Sequence, residues 1–158
     1  ANRRRFMKSL NDEIARHERY KSIFHVLMLD IDHFKSINDT YGHNIGDDAL
    51  IETVSRLQAG VRKQDLVGRL GGEEFAVGLP ETELDDASML AERLRQIIAD
   101  ISIDLDFEKL NFTVSIGVSG PSENITSADE ILTSADECLY KAKRGGRNRV
   151  IISEHCHV

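Results

Sequence analysis

At 158 residues, with 41% hydrophobic and 30% charged residues and a formal net charge of −7, the chain has enough apolar sequence for one folded domain. Its charge excludes general binding to nucleic-acid polymers. No apolar run approaches the roughly 18–20 residues that cross a membrane, no segment reads as a secretory signal, and Cys138 and Cys156 form neither a disulfide framework nor a metal spacing, so a reduced cytoplasmic setting without membrane contact is expected.

Phe6, Leu10 and Ile14 predict a helix over about residues 6–17. The run from Phe24 to Leu29 is almost continuously apolar, as in a central strand covered on both faces, and Asp30 ends it. A short helix over about residues 33–39 and a turn at Tyr41-Gly42 follow. Leu50, Val54, Leu57 and Val61 then recur at helical spacing. Leu66-Val67-Gly68-Arg69-Leu70 and Phe75-Ala76-Val77-Gly78-Leu79 read as the strands of a hairpin, with Gly71-Gly72 supplying the positive φ of a two-residue turn.

Thr82 is placed to cap the next helix, in which Leu84, Ala87, Leu90, Ala91, Leu94, Ile97 and Ile98 keep the 3.6-residue period to about residue 100. Residues 112–118 alternate as a strand. Ser127 and Glu130 form a capping-box pattern before the apolar stripe of Ile131, Leu132, Ala135, Cys138, Leu139 and Ala142, which puts Cys138 in the core. A last strand is expected over residues 149–152, and His155-Cys156-His157 reads as a frayed tail rather than a soft-metal site. This order predicts an α+β fold, a mostly antiparallel central sheet surrounded by helices, in a single domain over 1–158 with its core at about 5–152.

The most informative string is Arg69-Leu70-Gly71-Gly72-Glu73-Glu74-Phe75, which puts two carboxylates on a hairpin tip. If the strand ending at Asp30 lies beside the hairpin, Asp30, Glu73 and Glu74 meet. Mg²⁺ takes few protein carboxylates and completes its octahedron with phosphate and water, so such a point suits phosphoryl chemistry. Asp30 alone reads equally as a helix cap or turn former. Asp32 is set aside as a ligand, because a helix starting there would turn it away. Lys141, Lys143, Arg144, Arg147 and Arg149 suit either a polyanion held at one spot or a solvated helix end. Arg62 and Asp65 are either an exposed pair or a phosphate-and-base contact, and Asp47 is either a helix N-terminal acid or an acceptor for paired donors.

These residues resemble the GGDEF domains, which as diguanylate cyclases condense two GTP molecules into cyclic di-GMP. The resemblance runs in the family's order through the block from Asp30 to Asp39, Tyr41-Gly42-His43, Gly46-Asp47, Arg62-Lys63-Gln64-Asp65, the hairpin, Leu139-Tyr140-Lys141-Ala142-Lys143 and Gly146-Arg147-Asn148. Glu73 stands where the family more often has Asp, the GGEEF variant. Asn2-Arg3-Arg4 look like the end of the family's opening segment, which implies a truncated start and an upstream regulatory region not included here.

The resemblance implies a fold like the palm of nucleotidyl cyclases and polymerases, and two Mg²⁺ or Mn²⁺ ions per site. It implies that Asp30, the Ile31 carbonyl, Glu73 and Glu74 bind metal, with Glu73 or Glu74 helping to deprotonate the attacking hydroxyl. Phe34, Lys35, Asn38, His43, Asp47, Gly72, Lys143 and Arg147 would bind GTP, with Asn38, His43 and Asp47 at the guanine end and Lys143 and Arg147 at the triphosphate. Arg62, Asp65 and Arg93 match an inhibitory site for cyclic di-GMP. A homodimer, at least transient, follows if each domain holds one GTP. The rival readings are a module that senses GTP or cyclic di-GMP without turnover, which the intact acids oppose, and a cyclase for other nucleotides, which Asp47 opposes.

Overall fold

A computed structural model describes residues 2–157. The elements are α1 (Arg3–Tyr20), β1 (Phe24–Ile31), α2 (Phe34–Tyr41), α3 (His43–Gly60), β2 (Leu66–Arg69), β3 (Glu74–Pro80), α4 (Leu84–Ala99), β4 (Ile103–Asp104), β5 (Lys109–Leu110), β6 (Val114–Ser119), α5 (Ala128–Arg144) and β7 (Val150–Ile152), followed by a short 3₁₀ turn at Glu154–His157. Five strands form one sheet in the order β2-β3-β1-β6-β7. All neighbours are antiparallel except the parallel pair β6 and β7. The fold is therefore α+β, as the sequence predicts.

Alternation along β1 explains its apolar run. Leu27, Leu29 and Ile31 join the core shared with residues of α2, α3 and α4, while Phe24, Val26 and Met28 join the other core with Phe6 and Leu10 of α1 and Ile131, Ala135 and Leu139 of α5. Every residue of β1 is buried. Each such large apolar side chain contributes about 1.5–3 kcal/mol relative to exposure, so both helical layers are held to the same strand. Asp30 shares the parity of Val26 and Met28 and so emerges toward α5. The strand does not stop at Asp30 but runs on to Ile31, because Asp30 is still paired with Glu74 on one side and Ser115 on the other.

Three expectations change. Gly71 and Gly72 do not adopt positive φ, since Gly42 and Gly146 are the glycines that do among the described residues. The hairpin closes through a wider loop instead, in which the Leu70 and Gly71 amides both reach the Glu74 carbonyl at 2.9 and 3.4 Å. Thr82 is not the cap of α4: Glu83 holds that position without a side-chain bond, and the Thr82 hydroxyl is buried, donating to the Pro80 carbonyl at 2.9 Å. The tail is tied down rather than frayed, since His155 bonds through its ring nitrogens to Ser153 Oγ (2.7 Å) and the Gly120 carbonyl (2.8 Å). The side chain of His157 lies outside the described residues. The capping box of α5 is present in full, with Ser127 Oγ accepting from the Glu130 amide and Glu130 accepting from the Ser127 amide.

Candidate active site

Pairing of β1 with β3 sets Asp30 directly opposite Glu74. Cross-strand partners share a face, so both carboxylates point toward α5. Lys143, in the last turn of α5, reaches across that face and its Nζ lies 2.5 Å from Asp30 Oδ2. The other carboxylate oxygen, Oδ1, is buried without a hydrogen-bond partner. Burial raises the Asp30 carboxyl above the usual carboxylate range, and repulsion from Glu73 and Asp32 adds to this against the pull of Lys143. Glu74 is raised likewise by burial first, then by Asp136 and Asp30.

Glu73, half-buried, sits at the loop beside β1, where its backbone carbonyl accepts from the Ile31 amide at 3.3 Å. The sequence reading gave Arg69 no role, yet it shapes this loop. Its guanidinium donates to the Gly71 carbonyl at 3.0 Å through Nε and to the Gly72 carbonyl at 2.7 Å through Nη2. A Cβ on Gly72 would meet nothing within 4 Å, so neither protein crowding nor backbone strain demands glycine there. Among the described residues, no cluster of three or more His, Cys, Asp or Glu side chains is arranged to hold a metal alone.

Phe34 and Lys35 open α2, with Phe34 packed on the core and Lys35 exposed. Asn38, one turn on, lies against Gly46 of α3 so closely that a Cβ on Gly46 would fall 1.7 Å from Asn38 Oδ1. That glycine is required by close approach. Asn38 Oδ1 is itself buried and unpartnered. His43 begins α3 and Asp47 follows one turn later, both exposed.

Lys143 ends on Asp30, whereas Arg147 lies four residues on, in the turn after α5, with a left-handed backbone (φ 65°). Asp32, set aside as a ligand, is buried and committed to hydrogen bonds with Thr113, Ser115 and Asn148. Thr113, just before β6, and Ser115 within it, hydroxyl residues two apart, were the available sequence signal for that buried acceptor.

Arg62 and Asp65 lie beyond the end of α3 rather than within it. The Asp65 side chain is fully buried and accepts from the Arg62 amide (2.8 Å) and from Arg62 Nη2 (3.0 Å), which also donates to Pro80 O at 2.9 Å and Thr82 Oγ1 at 2.6 Å. The pair is thus not a plain surface contact. A cavity of about 480 Å³ opens beside it, lined by Arg62, Asp65, Thr82, Asp86 and Arg93 among others. Arg93 is exposed and donates to the Gly60 carbonyl at 2.7 Å.

A family model described as "Diguanylate cyclase, GGDEF domain" matches residues 1–149. Diguanylate cyclase A of Treponema denticola is 44% identical over 135 residues, 85% of this chain and 36% of that protein. Diguanylate cyclase DgcM of Escherichia coli is 43% identical over 150 residues, 95% of this chain and 36% of that protein. The chain thus spans only about a third of the length of these relatives. The GGDEF domain of DgcB from Caulobacter crescentus in complex with c-di-GMP superposes with a TM-score of 0.92 at 33% identity, covering 98% of this chain and 89% of that one. The active GGEEF domain of a diguanylate cyclase from Vibrio cholerae gives 0.91 at 34% identity, covering 98% and 97%.

Proposed function

The chain belongs to the GGDEF family, and from that premise we propose that it is a cytoplasmic diguanylate cyclase, joining two GTP molecules into cyclic di-GMP with release of two pyrophosphates. The observation that carries the reading is the meeting of Asp30, Glu74 and Lys143 on one face of the sheet, beside the Glu73 loop, with a buried Asp30 oxygen unpartnered. A buried orphan carboxylate oxygen suits a divalent cation. Asp30, the Ile31 carbonyl, Glu73 and Glu74 would hold Mg²⁺ or Mn²⁺, two per site. Bound ions of this kind lower the pKa of a hydroxyl and neutralise phosphate charge.

The chain's own groups do the rest. The 3′-hydroxyl oxygen of one GTP attacks the α-phosphorus of another, the bond to the β-phosphate oxygen breaks, and pyrophosphate leaves. Repetition closes the ring. Glu73 or Glu74 takes the hydroxyl proton. Lys143 and Arg147 balance the triphosphate, and backbone amides at the start of α2, with Phe34 and Lys35, meet phosphate oxygens. Gly72 leaves space for the nucleotide to approach the loop.

Guanine presents a ring imino and an exocyclic amino donor side by side, which one carboxylate accepts together, while adenine has no such pair. Asp47 supplies that carboxylate. Asn38, with its unpartnered oxygen, and His43 complete the guanine end. Each domain binds one GTP, so two copies face each other at least transiently. The cavity of Arg62, Asp65 and Arg93 takes cyclic di-GMP and restrains synthesis, since arginine can fork onto phosphate and stack on a base.

Incubation with GTP and Mg²⁺ at several protein concentrations, with the product identified by mass, tests the reading. Cyclic di-GMP forming at a rate that rises faster than linearly with protein is the expected result. Tight binding of GTP or cyclic di-GMP without turnover would favour a sensing module instead.

A further inference from the structure

We infer that Asp32 is a positioning residue for the triphosphate end of the site, acting through the turn that carries Arg147. The inference rests on the cyclase reading above. Asp32 is 3% exposed, at the turn where β1 hands over to α2. Its Oδ1 accepts from Ser115 Oγ at 2.7 Å, and its Oδ2 accepts from Thr113 Oγ1 at 2.6 Å and from the Asn148 amide at 3.0 Å. Its own amide donates to the Thr113 carbonyl at 2.9 Å. Both carboxylate oxygens are thus occupied by protein donors, unlike Asp30, whose Oδ1 has none.

What Asp32 holds is an unusual stretch of backbone. Gly146, Arg147 and Asn148 have φ of 120°, 65° and 48° in succession. L-residues avoid this region, and Arg147 has no local side-chain bond to favour it as Asn does. The turn persists because its polar groups are satisfied from outside: the Arg147 amide bonds to the Ala142 carbonyl at 2.9 Å, Asn148 Oδ1 accepts from Arg95 Nη1 at 2.7 Å, and the Asn148 amide ends on Asp32. Asp32 is the link from this turn to β1. Asp30 and Ile31 precede it, so this side chain, together with the Lys143–Asp30 pair and the Ile116 amide on the Arg149 carbonyl, fixes Arg147 relative to the strand that bears the candidate metal ligands. The role assigned to its carboxylate is that of a hydrogen-bond acceptor rather than that of a charge.

That distinction is testable. In Asp32→Asn, the amide oxygen keeps the Thr113 and Asn148 donors while the amide nitrogen donates to a rotated Ser115 hydroxyl, so every bond has a replacement. Asp32→Ala removes all three. Equilibrium affinities are measured for 3′-deoxy-GTP, which lacks the attacking hydroxyl, and for GMP, which lacks the β- and γ-phosphates.

The expected result is that Asp32→Ala weakens 3′-deoxy-GTP about tenfold, on the scale of one charge-assisted hydrogen bond, and leaves GMP unchanged. Asp32→Asn stays within about twofold of wild type, and Asp32→Ala adds less than about twofold in an Arg147→Ala background. Asp32→Asn as damaging as Asp32→Ala would overturn the inference, because charge would then be what matters. Equal losses for 3′-deoxy-GTP and GMP, or an undiminished loss in the Arg147→Ala background, would overturn it too. If Asp32→Ala does not fold, Thr113→Val removes one donor at similar volume, and the same comparison of the two nucleotides decides. Wild type failing to bind 3′-deoxy-GTP overturns the cyclase reading and this inference together, whereas normal wild-type binding with unselective variants sinks only the latter.

Discussion

Lys143 Nζ on α5 lies 2.5 Å from Asp30 Oδ2 on β1, an ion pair between side chains 113 residues apart. It joins the helix end to the strand that bears the candidate metal acids. Even so, burial outweighs it and the Asp30 carboxyl stays above its ordinary value. The pair therefore compensates only part of the cost of placing a carboxylate there.

Lys143→Met should leave Asp30 buried without its countercharge. The metal-free variant is expected to melt about 4 °C below wild type, as loss of one partner of a partly buried pair does in a domain of this size. Mg²⁺ should then raise the melting temperature of the variant more than that of wild type, because a cation replaces the missing charge. Thermal denaturation with EDTA and with Mg²⁺ makes the comparison. Equal Mg²⁺ shifts in the two proteins would mean that the ion does not reach Asp30.

Glu74 gives a pH signature. Its folded pKa is raised, by burial first and then by Asp136 and Asp30. A carboxyl of this kind favours the folded state fully below its unfolded pKa, and that contribution is lost as pH rises through the folded value. Glu74→Gln should therefore be more stable than metal-free wild type at neutral pH. The difference should shrink toward pH 4. Melting curves in EDTA across that range check this, and a variant less stable than wild type at neutral pH would contradict it.

The cavity beside α4 separates two arginines by role. Arg93 is exposed and bonds only to the Gly60 carbonyl among the contacts described, so Arg93→Ala should weaken cyclic di-GMP about tenfold with little change in melting temperature. Arg62 also holds the buried Asp65, Pro80 and Thr82, so Arg62→Ala should weaken the product and cost about 1–3 kcal/mol of stability as well. Product titrations paired with melting curves test both. Unchanged inhibition in both variants would remove this cavity from the account.

Much of this was legible in the sequence because it depends on local pattern. The apolar run from Phe24 to Leu29, the period of α4 and the Ser127–Glu130 capping box each state their structure within a few residues. What was not legible depends on partners distant in the chain. Thr82 looks like a helix cap until the Arg62 guanidinium and Pro80 carbonyl arrive from other elements. Gly71-Gly72 suggests a tight turn, but Arg69 closes a wider loop over both glycine carbonyls. The hairpin of β4 and β5 went unseen because two paired residues on each side carry no alternation. Asp32 was expected to be turned away by a helix start, whereas it lies in the turn before α2 and accepts from hydroxyls that lie 81 and 83 residues away.

The most direct test of the central claim is cyclic di-GMP synthesis by wild type and Glu73→Gln side by side, with Mg²⁺ and matched far-ultraviolet circular dichroism. Glu73 sits on the β2–β3 loop beside the end of β1, and its exchange for glutamine removes one charge and almost no volume. Wild type should form cyclic di-GMP, and the variant should fold alike while its rate falls by at least about 10²–10³, the scale on which loss of one preorganised charge at a reacting phosphate is felt. Near-normal synthesis by folded Glu73→Gln would contradict the proposed site.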